Sequence, residues 1–444
     1  MKIEYEKYLE SLNEFKESVI QQKEMPIVHI STLKKEAIVS KHKYVQSVID
    51  VFNCNSKYEL SAEAEVKVRG NSTQQGTDKP YRIKFTKKQG LLGLHNEKEY
   101  KSWVLLKTYD NLLTDYQGFR LAKEIFDGKY YASDSCFVNV YVNQDFKGVY
   151  LLCEQNQAGS GRVDIYEPKD NESANKIGYL IEIDNTDDKE HPSFEVKHKY
   201  DIVKDIIGQS KYFQNKTYII KSDITNDEQT KFISKYVNNV FEIIFRAIYE
   251  NKKLKFDENY DLIDESDDDV TIEQIVSNVI DIESVINMVI LYELVKDMDL
   301  GCGSFYLAID FSDSSIYKKL TLTAPWDFGW TCEGKADDGY FASIFLSRYD
   351  GMNQTNPWLV PFMTCEWFRD KLKNKWQKLY ESRKLSDVTF NALKEASKLQ
   401  NDLGKEYLKK YDGAKKIIAF VNERIELLNH VWGRDAFIKD ENFK

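Results

Sequence analysis

The sequence predicts an α+β protein with a β-rich N-terminal half and a mainly helical C-terminal half. Three observations predict it. Runs of strand composition crowd the region before residue 155: PIVHIST (26–32), AEVKVRG (64–70), YRIKF (81–85), SWVLLK (102–107), CFVNVYVN (136–143) and GVYLLCE (148–154). Long segments with helical apolar spacing dominate after residue 225. A short β insert at 294–330 breaks the helical half and carries two carboxylates, Asp299 and Asp327.

Each element has a local reason. Residues 1–25 carry Tyr5, Tyr8, Leu9, Leu12 and Phe15 at helical spacing, and Pro26 ends that helix. The polar break 143–148 predicts a hairpin, with Gly148 suited to a bulged turn. Residues 110–126 gather Leu112, Leu113, Tyr116, Phe119, Arg120 and Ile125 on one helix face, with charges on the other. Residues 176–184 read as a further strand, followed by a polar loop over 185–192. The segment 225–250 is a long amphipathic helix capped by Asn226, with Glu228 and Gln229 in its first turn. Residues 251–268 are charged and poor in apolar side chains, so they read as a solvated loop. The helix at 281–296 is almost wholly apolar at its centre, which predicts burial. Helices at 366–382, 387–400 and 402–434 complete the chain. The pattern divides into a β-rich lobe (1–195) and a mainly helical lobe (196–444), with a cleft between them as the expected nucleotide site.

A chain of 444 residues exceeds one small core. Its net charge of −10 argues against general nucleic-acid binding and favours a basic partner. The N-terminal MKIEYEKYLESLNEF has no signal-type apolar core, and no run approaches the roughly 20 apolar residues of a membrane span. These features predict a cytoplasmic protein without membrane contact. The six cysteines are scattered without a close CxxC pair, which predicts reduced thiols packed as small hydrophobes.

Three constellations carry chemistry. The first is VKVRGNSTQQGTDKPYRIKF (66–85), where a strand enters Arg69-Gly70-Asn71-Ser72. Backbone N–H groups and hydroxyls in such a loop hold phosphate oxygens, and the Arg69 fork suits the same ligand. Lys79 or Lys84 supplies a phosphate-contacting cation. The second is Glu154, at the end of an apolar strand, where a carboxylate can pair with and orient that lysine; Glu182 is its rival. The third is the insert at 294–330. A carboxylate after a helix, two strands and then Asp-Phe-Gly is the order in which protein kinases set their catalytic base and metal ligand. Asp299 stands in the first position and Asp327 in the second. Ser304 lies five residues after Asp299, where a kinase-like pattern has Asn. Asp297 reads as a helix-end charge.

Taken together, these blocks resemble the spore-coat CotH kinase family of atypical protein kinases. The resemblance rests on RGNS (69–72), KPYRIKF (79–85), NLL (111–113), VYVN (140–143), KGVYLLCEQ (147–155), GYLIEID (178–184), Asp299 with SFYL (304–307), and PWDFGW (325–330). It implies a divergent protein-kinase-like fold that binds ATP and Mg2+ and phosphorylates Ser or Thr on spore-coat proteins. Matched by motif, Asp299 is the catalytic aspartate and Asp327 the metal ligand, with Ser304 in the place of a second one. Arg69, Asn71, Ser72 and Lys79 or Lys84 face the nucleotide. The chain departs from the family pattern at Ser304, where Asn is common, and at Gly329, where Asp is common. The implied partner is a basic, Ser-rich protein such as a coat protein, and the implied location is the cytoplasm or the spore coat. A kinase-like scaffold without turnover is the alternative. A carbohydrate-binding module is a third reading, from the 28 Tyr and 7 Trp.

Overall fold

The computed structural model describes residues 2–70, 79–107, 112–184, 191–197, 203–204, 210–211, 216–297, 300, 303–313, 315–336 and 356–433. It divides into two compact units. The first comprises Met1–Gln117, Ser133–Gln155 and Phe390–Ile418; the second comprises Gly118–Ala132, Asn156–Thr389 and Ala419–Lys444.

The first unit is built on a closed barrel. After helix α1 (Lys2–Ile20) come β1 (Ile27–Thr32), β2 (Val45–Phe52), β3 (Leu60–Val68), β4 (Tyr81–Gln89), the short turn α2 (Leu94–Glu97) and β5 (Tyr100–Lys107). Along the chain helix α3 (Thr114–Phe126), which from Gly118 on belongs to the second unit, then β6 (Ser135–Val142) and β7 (Asp145–Glu154) of the first unit follow. The strands run in the order β1-β2-β3-β4-β5-β7-β6, and parallel pairing of β1 with β6 closes the ring. Strand alternation decides the filling. Ala64, Val66 and Val68 of β3, Ile83 and Phe85 of β4, Trp103 of β5 and Tyr150 and Leu152 of β7 meet in one buried core. Phe15 and Val19 of α1 cover Ile27, Phe52 and Tyr141 on another face. The hairpin turn between β6 and β7 is only Asn143-Gln144, and Gly148 sits inside β7 at φ +104, where the register slips. The bulge is present, but in the strand rather than the turn. The sequence reading missed β2, whose VQSVIDVF lacks strict alternation: Val48 and Ile49, and Val51 and Phe52, are adjacent apolar pairs.

The second unit holds a five-stranded antiparallel sheet. Its strands are β8 (Gly178–Ile183), β9 (Ser193–Val196), β12 (Lys216–Ile220), β15 (Phe305–Asp310) and β16 (Thr321–Thr323), in the order β16-β15-β8-β12-β9. Two-residue strands β10 (Val203–Lys204) and β11 (Ser210–Lys211) pair separately. Helix α4 (Asp227–Glu250) starts where Asn226 accepts the Gln229 N–H, as its cap chemistry predicts. Helix α5 (Ile272–Val279) opens on a capping box of Thr271 and Gln274. Helix α6 (Ile282–Val295), capped by Asp281, is buried on all sides from Ser284 to Val295. Helices α7 (Val360–Met363) and α8 (Glu366–Ser382) follow in this unit; α9 (Lys384–Ser397), α10 (Gln400–Leu403) and α11 (Tyr407–Gly433) end the chain, with their stretch Phe390–Ile418 belonging to the first unit.

Two expectations need correction. Part of the solvated loop at 251–268 is a hairpin of β13 (Leu254–Phe256) and β14 (Leu262–Asp264). Asp257 closes its turn by accepting the N–H groups of Asn259 and Asp261, each at 2.8 Å. The hairpin forms because Phe256 and Tyr260 pack on Tyr236 of α4, with ring centroids 5.3 and 5.5 Å away. The single helix expected at 402–434 is interrupted, because Gly404 adopts φ +54 between α10 and α11.

Cys54, Cys136, Cys153, Cys332 and Cys365 are free thiols, and of these Cys153 is fully buried. Among the described residues no helix is long and apolar enough to cross a membrane.

Candidate functional site

In the second unit the chain leaves β16 through Ala324, whose N–H bonds the Tyr131 carbonyl at 3.2 Å, and enters PWDFGW. Trp326 is 6% exposed and Phe328 0%, while Asp327 between them is exposed. Phe119 of α3 packs against both rings, at 5.3 and 5.7 Å. A Cβ on Gly118 would lie 2.4 Å from the Phe328 ring, so this approach requires glycine. Asp327 itself sits in the left-handed region (φ 61, ψ 68) and starts the tight turn 328–330. Two buried aromatic anchors and a constrained backbone thus present one carboxylate to solvent. Oxygen donors of this kind suit a hard divalent cation that also binds phosphates.

The buried Tyr292 of α6 links this turn to the end of its own helix. Its hydroxyl is hydrogen-bonded by the Trp326 backbone. Burial first, and the charges of Asp297 and Asp327 next, hold its pKa well above the ordinary value. It therefore stays a neutral phenol. Asp297 stands just past the helix end, as expected, but is buried, 4% exposed. The chain turns inward after Lys296 (φ 49, ψ 62), and Asp297 N–H returns to the Tyr292 carbonyl at 3.3 Å.

Asp299, the expected catalytic aspartate, lies outside the described residues. Leu300 is buried, and its carbonyl accepts Asn356 Nδ2 at 3.0 Å. Ser304 is half-buried with φ 55 and immediately precedes β15. Register pairs Phe305 with Ile183, and the Asp184 carboxylate lies 3.8 Å from where a Gly303 Cβ would stand. One residue further along, Glu182 is opposite Tyr306 and forms a 3.0 Å ion pair with Lys221. Desolvation pushes the Glu182 pKa up; Lys221 opposes this, and Asp184 reinforces it. Sequence reasoning missed Lys221, although a lone Lys directly after the apolar run YII carries the same signal as Glu154 after YLLC. Among the described residues no three His, Cys, Asp or Glu side chains form a metal-binding group.

The first unit holds the remaining candidates. Asn71 and Ser72 lie outside the described residues. The ends of their loop are tied by the Arg69 N–H to the Pro80 carbonyl at 3.0 Å, and Gly70 takes φ 88. The Lys79 carbonyl accepts the Tyr150 hydroxyl at 3.0 Å, and Tyr150 stacks on Tyr81 at 6.0 Å. Lys84 is on the outer face of the barrel, 3.2 Å from its cross-strand partner Glu65. Glu154 is fully buried at the other end of β7 from Gly148. Its Oε2 lies 2.9 Å from His95 Nδ1 and accepts the Asp134 N–H at 2.9 Å. His95 N–H in turn donates to Asp134 at 3.0 Å. These bonds hold a turn in which His95, Asn96 and Glu97 are all left-handed. Glu154 and Tyr150 are four strand residues apart, about 13 Å, so the Glu154 carboxylate and the Lys79 carbonyl belong to different ends of the barrel. The end near Lys79 contains a cation that sequence reasoning did not single out. Lys107 Nζ donates to the Lys147 carbonyl at 2.7 Å and lies 4.6 Å from the Tyr150 ring centre.

These features define a mixed α+β protein with a β-barrel unit and a sheet-and-helix unit that displays a braced, exposed aspartate. The chain belongs to the CotH kinase family: the family model described as CotH kinase protein matches residues 66–437, most of the 444-residue chain. No curated protein matches. A crystal structure of the Golgi casein kinase aligns over 94% of this chain and 75% of its own, at 9% identity and a TM-score of 0.23. That likeness is too distant to carry an argument.

Proposed function

We propose that the protein is an atypical Ser/Thr protein kinase with a divergent kinase-like fold, using ATP and Mg2+. The reading rests on one observation above others. Asp327 is exposed on a left-handed turn clamped by buried Trp326 and Phe328, in a member of the CotH kinase family. A metal–nucleotide complex supplies the transferable phosphoryl group and neutralises its charge. Asp327 would hold that metal, with Ser304 the second candidate ligand. Asp299 would accept the proton of the substrate hydroxyl. Lys79 or Lys84, with Arg69, Asn71 and Ser72, would contact phosphate oxygens. Positioning and fixed charge would supply most of the rate. The net charge of −10 favours a basic, Ser-rich substrate, such as a spore-coat protein.

Incubation of the purified protein with ATP, Mg2+ and basic Ser-rich peptides tests this. Wild type is expected to transfer phosphate, and Asp327→Ala to lose about 100-fold or more. Equal transfer by Asp327→Ala, or none by wild type, overturns the proposal. Thermal stabilisation by ATP and Mg2+ without transfer would identify a nucleotide-binding scaffold instead.

A further inference from the structure

We infer that Lys107, at the mouth of the barrel, is a further phosphate-contacting cation for the nucleotide, an inference that rests on the kinase reading above. Lys107 is the last residue of β5 and pairs with Tyr150 of β7. Side chains alternate along a strand, so Lys107 takes the same side as Trp103 and Leu105, both members of the barrel core. The core therefore ends, on this strand, in an ammonium group.

The surroundings aim that group. Lys107 Nζ donates to the Lys147 carbonyl at 2.7 Å and lies 4.6 Å from the centre of the Tyr150 ring. Tyr150 is fixed in turn: it is fully buried, it stacks on Tyr81 at 6.0 Å, and its hydroxyl donates to the Lys79 carbonyl at 3.0 Å. A Cβ on Gly148 would stand 2.6 Å from the amine, and Gly148 has φ +104, so glycine there leaves the amine its place. The carbonyl and the ring are neutral; they orient a cation without cancelling its charge.

Arg69 belongs to the same end of the barrel. Tyr81 opens β4 directly after Lys79 and Pro80 and pairs with Val68, and the Arg69 N–H donates to the Pro80 carbonyl at 3.0 Å. Lys84, by contrast, stands on the outer face beside Glu65. Barrel mouths are a favoured place for ligands, and phosphoryl transfer needs cations over the phosphates. Hydrogen bonds from an ammonium to phosphate oxygens are charge-assisted, so one lysine makes a measurable share of nucleotide affinity.

Lys107→Met keeps an unbranched stem and removes the charge. Calorimetry in the presence of Mg2+ should show a Kd for ATP raised about tenfold or more, with the Kd for adenosine changed less than about twofold. Lys57→Met, which removes an exposed amine paired with Glu97, should leave the Kd for ATP unchanged. In wild type, acetylation of Lys107 by a limiting reagent, read by peptide mass spectrometry, should slow when ATP and Mg2+ are present, and acetylation of Lys57 should not. Unchanged ATP affinity in Lys107→Met, or an equal loss for adenosine, overturns the inference. Equal acetylation of Lys107 with and without ATP overturns it too, and decides alone if Lys107→Met does not fold. If wild type binds ATP but transfers no phosphate, the kinase reading fails, and the two binding measurements still decide the role of Lys107. Absence of ATP binding by wild type overturns both.

Discussion

Phe328 approaches Gly118 so closely that a Cβ there would meet its ring at 2.4 Å. Gly118 lies inside α3, where alanine would normally stabilise by about 1 kcal/mol. Phe328 is 0% exposed and has little room to retreat. Overpacking of a full core costs about 1–3 kcal/mol, so the steric effect should win. Gly118→Ala is expected to lower stability by up to about 2 kcal/mol in urea unfolding and, if the proposed function holds, to weaken binding of ATP and Mg2+ by shifting Asp327. A gain in stability would show that the approach is looser than described.

Glu182 and Lys221 make a pH-dependent pair. Burial raises the Glu182 pKa, so the folded chain holds its proton more tightly than the unfolded one. Its contribution to stability is therefore intact below the ordinary carboxyl value of about 4.3 and declines as pH rises through the folded value. Lys221→Met removes the opposing cation. The variant should lose about 3 kcal/mol near neutral pH and less at pH 5, where Glu182 is more often protonated. Denaturant unfolding at pH 5 and 7.5 measures this; an equal or larger deficit at pH 5 would contradict it. The double variant Glu182→Gln, Lys221→Met should recover part of the loss.

Arg424 of α11 is wholly buried. It donates to the Glu293 carbonyl at 2.7 Å, to the Glu293 carboxylate at 3.2 Å and to the Ala336 carbonyl at 3.1 Å. Replacing it strands a buried carboxylate and two carbonyls at once. Arg424→Met should cost about 3–5 kcal/mol, a larger loss than any exposed ion pair could produce. A thermal unfolding midpoint within a degree or two of wild type would refute this.

Burial pushes the Cys332 thiol up to about 12 and the Cys365 thiol up to about 11. At pH 8 their thiolate fractions in the folded protein are therefore small, and iodoacetamide should modify them far more slowly than in urea. Peptide mapping of timed labelling reactions reads this directly. Rapid native labelling at Cys332 would mean that the turn after Trp330 opens readily.

The sequence by itself determined what depends on near neighbours. Asn226 as a helix cap, the buried α6, the strands β3 and β4, and the ordered blocks of the CotH kinase family were all legible in it. Such features follow from spacing of a few residues, where side-chain period and cap chemistry act locally. The tertiary structure decided which distant groups meet. Parallel pairing of β1 with β6 closes the barrel across more than a hundred residues of chain, and no local pattern announces it. Glu154 read as a partner for a lysine, yet its carboxylate meets His95 and the Asp134 N–H, because the β5–β7 register carries it to that end of the barrel. Glu182 has the lysine, Lys221, delivered by a neighbouring strand. Asp297 read as a helix-end charge and proves to be buried; Asn356 carried no signal and holds the carbonyl next to Asp299. A buried polar group must find a partner, but which partner it finds is set by long-range register and packing.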